Sequence, residues 1–244
     1  MPHVILQPND RYAFVGKTGS GKTALAMVVA GLFARGLSMP WEVWWIDTKN
    51  DPDDIAALRQ WGFRNAASDS DLQTPGSIRG AKYFRVDGSS ERFNAETVEQ
   101  AQRIIGIAYK RQHVIVVIDE YTQVCPSSRN AGRNLLNAFQ RGRGRKVGII
   151  GLTQEPVYVP RQLLSAASHL ILLTLSYAAD IKYIKNMEPI YRPPAKMGDK
   201  YGFYWKWVDG DDEVVYYPHQ KQWYDEVKFA LPKAAEPDPV TSST

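Results

Sequence analysis

Residues 11–23 read RYAFVGKTGSGKT, and this stretch decides the fold. An apolar strand is expected over 12–15. Gly16, Lys17, Thr18, Gly19, Ser20, Gly21, Lys22 and Thr23 then fit G-x-x-x-x-G-K-[ST] at every position. Residues 24–34 have helical composition and end at Arg35-Gly36, a stop signal. A Gly/Ser surface turn shares the composition, but a strand before and a helix after are what a phosphate-cradling loop requires. Glycines let successive backbone N–H groups turn toward one anion. The helix start adds the positive end of its dipole. In this reading the eight residues bind a nucleoside triphosphate, Lys22 reaches its β- and γ-phosphates, and Thr23 ligates Mg²⁺.

Outward from the loop, strands and helices alternate. WEVWWI at 41–46 is a strand ending on Asp47, and Asp51-Pro52-Asp53-Asp54 opens a helix through Arg59. A polar loop is expected over 64–80, a strand over 82–86 and a helix over 95–109. VIVVI at 114–118 is an unbroken β-branched run, the mark of a central parallel strand. A helix over 130–140, a strand over 147–152, a helix over 161–167, a strand over 170–175 and a helix over 180–187 follow. The pattern predicts an α/β fold, a mostly parallel sheet with helices on both faces. After Pro193-Pro194, runs at 203–208 and 213–217 flank Asp209-Gly210-Asp211-Asp212 and read as a β-hairpin. The division expected is a core over 1–190, a hairpin extension of the same domain over 191–233, and a disordered Pro/Ser/Thr-rich tail over 234–244.

At 244 residues and 44% apolar content, the chain can build one large core. Its net charge of +4 is compatible with a polyanionic partner without demanding one. Cys125 is the only cysteine, which excludes an intrachain disulfide framework and a Cys-based zinc site. No secretory signal is visible, and the longest apolar stretch, 170–175, falls far short of the ~20 residues that cross a bilayer. The expectation is a cytoplasmic protein without membrane insertion.

A phosphate loop needs a carboxylate at a nearby strand end to orient Mg²⁺. VIVVIDE supplies Asp119, and Glu120 beside it is placed to polarise the attacking water. Two solvated acids closing a strand are the plainer alternative, which the phosphate loop disfavours. Thr48-Lys49-Asn50-Asp51 matches the guanine-reading [NT]-K-x-D formally, but lies too early in the chain. ATP is expected rather than GTP.

Three stretches carry a family resemblance. Trp44-Trp45-Ile46-Asp47-Thr48-Lys49 resembles the second-strand acidic motif of the HerA/FtsK superfamily of DNA-pumping ATPases, residues 116–120 resemble its hydrolysis strand, and Arg143-Gly144-Arg145-Lys146-Val147-Gly148-Ile149-Ile150-Gly151-Leu152-Thr153-Gln154 resembles its sensor strand. The order holds from about residue 10 to 187. The resemblance implies a RecA-like core, a pentameric or hexameric homo-oligomeric ring with ATP between neighbours, and Asp47 as a further nucleotide-site residue. It also implies that Gln154 senses the γ-phosphate or the water, since an amide both donates and accepts. A compact chain of this kind is similar to the genome-packaging ATPases of internal-membrane icosahedral viruses. That implies sequence-independent double-stranded DNA as partner, capsid-vertex or portal proteins as further partners, and a place in the host cytoplasm or at the virion vertex. The alternatives are a filamentous-phage, conjugation or repair type of DNA pump, and a small-molecule kinase or nucleotide switch.

A ring motor also needs an arginine reaching a neighbour's γ-phosphate. Segment 129–146 holds Arg129, Arg133, Arg141, Arg143, Arg145 and Lys146 and no acid. It reads as a solvated face, as a source of that arginine, or as a DNA-phosphate surface. Arg143 or Arg145 is the expected finger, with Arg161 a lesser candidate. Tyr121 and Tyr158 are expected to pack rather than to line a channel.

Overall fold

The computed structural model describes residues 5–36, 41–66, 81–86, 92–207, 214–218 and 228–229. The hairpin turn at 209–212, most of the polar loop (67–80) and the 234–244 tail lie outside these residues.

The RYAFV run forms strand β2 (Arg11–Val15), following a two-residue strand β1 (Ile5–Leu6). Helix α1 (Lys22–Gly36) starts within the glycine motif itself. Next come β3 (Glu42–Asp47), α2 (Pro52–Gln60), β4 (Arg64–Asn65) and β5 (Ala81–Arg85). Asp51 caps α2, its side chain accepting from the N–H groups of Asp53 and Asp54, with Pro52 at the first helical position. The remaining elements are α3 (Ala95–Arg111), β6 (Val114–Ile118), α4 (Tyr121–Val124), α5 (Arg133–Arg141), β7 (Val147–Thr153), α6 (Arg161–Ser165), β8 (His169–Leu172), α7 (Ala178–Met187), β9 (Phe203–Trp207), β10 (Val214–Tyr217) and β11 (Lys228–Phe229).

Nine strands form one sheet in the order β10-β9-β8-β2-β7-β6-β3-β5-β4. All are parallel except the final hairpin, where β9 runs antiparallel to β8 and β10 antiparallel to β9. The hairpin therefore widens the main sheet. Period-two alternation sends Tyr12 and Phe14 of β2 toward α1 and α2, and Ala13 and Val15 toward α3, α5 and α7. Both faces are covered, as an uninterrupted VIVVI strand demands.

Three boundaries differ from expectation for physical reasons. Strand β8 stops at Leu172; Leu173 N–H still donates to the Val15 carbonyl at 2.8 Å, and the next carbonyl, of Thr174, accepts instead from the phosphate loop, Lys17 N–H donating at 2.9 Å. Helix α5 starts at Arg133, after Gly132 takes φ 78°. The 64–80 segment opens with β4, an exposed edge strand whose polar residues hid it.

The glycines of β7 mark close approaches. A Cβ on Gly151 would lie 1.7 Å from Cζ of the fully buried Tyr121 ring. Gly151→Ala is expected to cost about 2–3 kcal/mol of stability, read as a lower urea midpoint with unchanged slope. Tyr121 thus packs, as expected.

A polar network ties the hairpin to the core at the N-terminal ends of the strands. Trp205 Nε1 donates to His169 Nδ1 at 3.1 Å, which leaves the His169 Nε2–H to donate to Asp10 Oδ2 at 3.1 Å. Tyr12 stacks on the imidazole with ring centroids 4.5 Å apart.

Candidate nucleotide-binding site

The sheet order puts β2 beside β7, β7 beside β6 and β6 beside β3. Their C-terminal ends carry, respectively, the phosphate loop, Gln154, Asp119 with Glu120, and the segment from Asp47 to Lys49. Four parts distant in sequence so meet on one edge, where ligands bind in open α/β sheets.

The loop is built from the residues the motif named. Gly19 (φ 73°) and Gly21 (φ 87°) sit in the left-handed region that favours glycine. Ser20 is buried, its N–H and its hydroxyl both donating to the Lys17 carbonyl, at 3.2 and 2.8 Å. Gly16 donates to the Thr153 carbonyl at 3.0 Å. Lys17, Thr18 and Gly19 face solvent. A cavity of about 280 Å³ opens on the loop, lined by Thr18, Gly19, Gly21, Lys22 and Thr23 on one side and Lys49, Asp54 and Gln154 on the other. A second, of about 290 Å³, lies across the Thr18–Gln154 contact and is lined by Lys17, Glu155, Tyr177 and Asp180.

Lys22 is the telling residue. It is only 4% exposed, and its ammonium makes no hydrogen bond or ion pair with any described residue. Burial, then the like charge of Lys49, holds its pKa below the ordinary lysine value. Glu120, Asp119 and Asp54 attract it but none forms a direct ion pair, so burial wins and an arriving anion would find a charge not yet satisfied. The glycine-rich backbone around it fits a phosphate chain.

Asp119 is buried, and Lys49 Nζ lies 2.8 Å from its Oδ1. Burial works to lower the Lys49 pKa, but the charge and hydrogen bond of Asp119 win and hold it above the ordinary value. Glu120 is 5% exposed; burial raises its pKa, opposed by Lys22 and Lys49. Its Oε1 accepts from the Thr122 hydroxyl at 3.2 Å and its Oε2 from the Gln154 N–H at 3.1 Å. Gln154 Oε1 in turn accepts from the Thr18 hydroxyl at 2.5 Å. A chain of contacts thus runs from the phosphate loop through Gln154 to Glu120. Among the described residues no group of three or more His, Cys, Asp or Glu is arranged to hold a metal. Mg²⁺ takes one or two protein ligands and completes its shell with phosphate oxygens and water. Thr23 and Asp119 suit that part.

Asp119 and Glu120 lie buried behind the cavity rather than in its lining, and Asp47 does not line it either. Its Oδ1 accepts from the backbone N–H of Lys49 (3.1 Å) and of Asn50 (3.0 Å), turning the chain after β3, and its buried Oδ2 has no hydrogen-bond partner. Burial raises its pKa.

The arginines lie elsewhere. Arg143 and Arg145 occupy a short 3-10 turn before β7, at the opposite end of that strand from Gln154. Arg143 Nη2 pairs with Asp10 Oδ1 at 2.9 Å, and the Arg145 guanidinium lies over the Tyr109 ring at 5.0 Å. Neither joins the phosphate loop of its own chain. Arg129, Arg133, Arg141, Lys146 and Arg161 are exposed. Near the loop stands Arg92, which sequence reasoning passed over. It pairs with Glu155, its Nε 2.6 Å from Oε2, and lies over the Tyr158 ring at 4.3 Å. Lys49 and Asp54 were also missed as site residues.

The arrangement defines the P-loop NTPase fold. No protein-family model and no curated protein matches the sequence. Among solved structures, the chain is similar to the genome packaging NTPase B204 from Sulfolobus turreted icosahedral virus 2. In that protein's complex with AMP the identity is 18%, 87% of this chain and 98% of the other are covered, and the TM-score is 0.63. In its complex with ATP-gammaS the values are 18%, 87%, 98% and 0.62. VirB4 of Thermoanaerobacter pseudethanolicus is similar at 10% identity, with 87% and 92% covered and a TM-score of 0.53. At these identities the likeness is one of fold. No helix among the described residues is long and apolar enough to cross a membrane.

Proposed function

We propose that the chain is an ATPase that drives double-stranded DNA through a homo-oligomeric ring, in the manner of genome packaging. The observation that carries this reading is a glycine loop that buries Lys22 and whose Thr18 hydroxyl is joined through Gln154 to the buried Glu120. The B204 structures, of a genome packaging NTPase in complex with AMP or ATP-gammaS, support the substrate and the role.

The backbone of Gly16, Lys17, Thr18, Gly19, Ser20 and Gly21 holds the phosphates, and Lys22 pairs with the outer ones. Thr23 and Asp119 hold Mg²⁺, which when bound neutralises charge on the phosphate oxygens. Glu120 takes the proton of the attacking water. Gln154 contacts both Thr18 and Glu120, so it is placed to pass a change at the phosphates to the rest of β7. Asp47 acts through the turn that presents Lys49. Adenine is favoured over guanine because the residues of the TKND match are spoken for: Asp51 caps α2 and Lys49 pairs with Asp119.

The exposed Arg129, Arg133, Arg141 and Lys146 suit DNA phosphates, which need no sequence readout. Arg143 or Arg145 is proposed as the group that completes a neighbour's site. Capsid-vertex proteins are the partners such a ring would meet.

Displacement of a third strand from a long linear duplex tests the motor. The protein is expected to release a triplex-forming oligonucleotide only with hydrolysable ATP. Steady hydrolysis on duplex DNA without release would overturn translocation and leave the kinase or switch alternative.

A further inference from the structure

Asp119 is the proposed metal carboxylate, yet one of its oxygens is already taken. Lys49 Nζ sits 2.8 Å from Oδ1, and the pair is built rather than incidental. The register of β3 against β6 sets Ile46 opposite Ile118, so the residues after each strand emerge side by side. Asp47 then clamps the backbone N–H groups of Lys49 and Asn50, and Asn50 adopts φ 54° to complete the turn. Two lysines face the same cavity, and their situations are opposite. Lys49 holds a carboxylate; Lys22 holds nothing. Lys49 is also the less buried of the two, its side chain 23% exposed against 4% for Lys22.

We propose that Lys49 is a placeholder for the divalent cation. With no metal present its ammonium neutralises Asp119, so that the carboxylates at the strand ends do not repel an incoming polyphosphate. On metal binding Asp119 would exchange the ammonium for the metal, and the Lys49 side chain, 23% exposed, would be released toward solvent. This deepens the ATPase reading and rests on it. The consequence is a linkage between metal and nucleotide that Lys49 sets, because one cation takes over the other's charge balance.

Calorimetric titration of ADP into the full chain, in EDTA and in Mg²⁺, reads that linkage directly. Lys49→Met is expected to weaken metal-free binding about tenfold or more while changing Mg²⁺-dependent binding less than about threefold. Lys49→Arg, which keeps the charge, is expected to follow the wild type in both conditions. Lys49→Gln serves as a second neutral variant, and melting curves confirm that each variant is folded. Equal losses with and without metal would make Lys49 an ordinary phosphate ligand and overturn the proposal, as would no loss in either. A wild type that binds no nucleotide under either condition would instead overturn the ATPase reading, and this inference with it.

Discussion

Replacing Lys22 with methionine is expected to abolish function and raise stability together. Hydrolysis should fall about 10²–10³-fold or more, the scale of losing one charge-stabilising donor at a transition state. Nucleotide affinity should fall with it. The melting temperature, in contrast, should rise. Lys22 is buried, no carboxylate is in direct contact with it, and burial and Lys49 outweigh the attraction of Glu120, Asp119 and Asp54. Methionine fills the same space without a charge to desolvate. A gain of about 1 kcal/mol corresponds to about 2–4 °C for a domain of this size. The sign with pH follows from the lowered pKa. The folded state favours the neutral amine, so charging it costs stability wherever the lysine is protonated. The methionine variant's advantage should be largest near neutral pH and shrink as pH approaches 10.5, the ordinary lysine value. Hydrolysis assays with melting curves at two pH values check both halves. A variant less stable than wild type would mean that the ammonium is satisfied in the nucleotide-free protein.

Glu120→Gln is expected to separate binding from chemistry. The glutamate's burial raises its pKa, which makes it a stronger base while Lys22 and Lys49 keep it from rising freely. Glutamine has the same shape and lacks the basicity. Hydrolysis should fall about 10²–10⁴-fold, the range of general base catalysis, with nucleotide affinity nearly unchanged. In the wild type, hydrolysis should drop as pH is lowered through the raised carboxyl pKa; in the variant that acid limb should vanish. A variant that hydrolyses ATP at the wild-type rate would remove Glu120 from the base role.

The parts of the site legible in the sequence are those whose signal is local. The phosphate loop announces itself in eight consecutive residues, and Asp119 with Glu120 follows an unmistakable buried strand. Gln154 needed the resemblance, since an isolated amide in a loop carries no pattern. Lys49 was not legible as a site residue. Its partner lies 70 positions away, and the contact exists only because β3 and β6 are neighbours in the sheet. The arginine cluster shows the same limit. Segment 129–146 contains no acid, but Asp10, 133 positions from Arg143, supplies one across the end of the sheet. The fold class followed from alternation of strands and helices, and the hairpin from its turn. The end of β8 could not be read, because LILLTL is apolar but for Thr174 and only that residue's contact with the phosphate loop marks where the ladder stops. Strand β4 and the β1–β11 pair are two residues long, too short for a period to register.

The central claim is a DNA motor whose sites are completed between subunits. ATP hydrolysis at low salt, measured across protein concentrations with and without long double-stranded DNA, tests it most directly, because phosphate contacts weaken steeply as salt rises. Stimulation by DNA that grows faster than linearly with protein concentration is the predicted result. A specific rate indifferent to both DNA and concentration would contradict the claim and identify a self-contained nucleotide site.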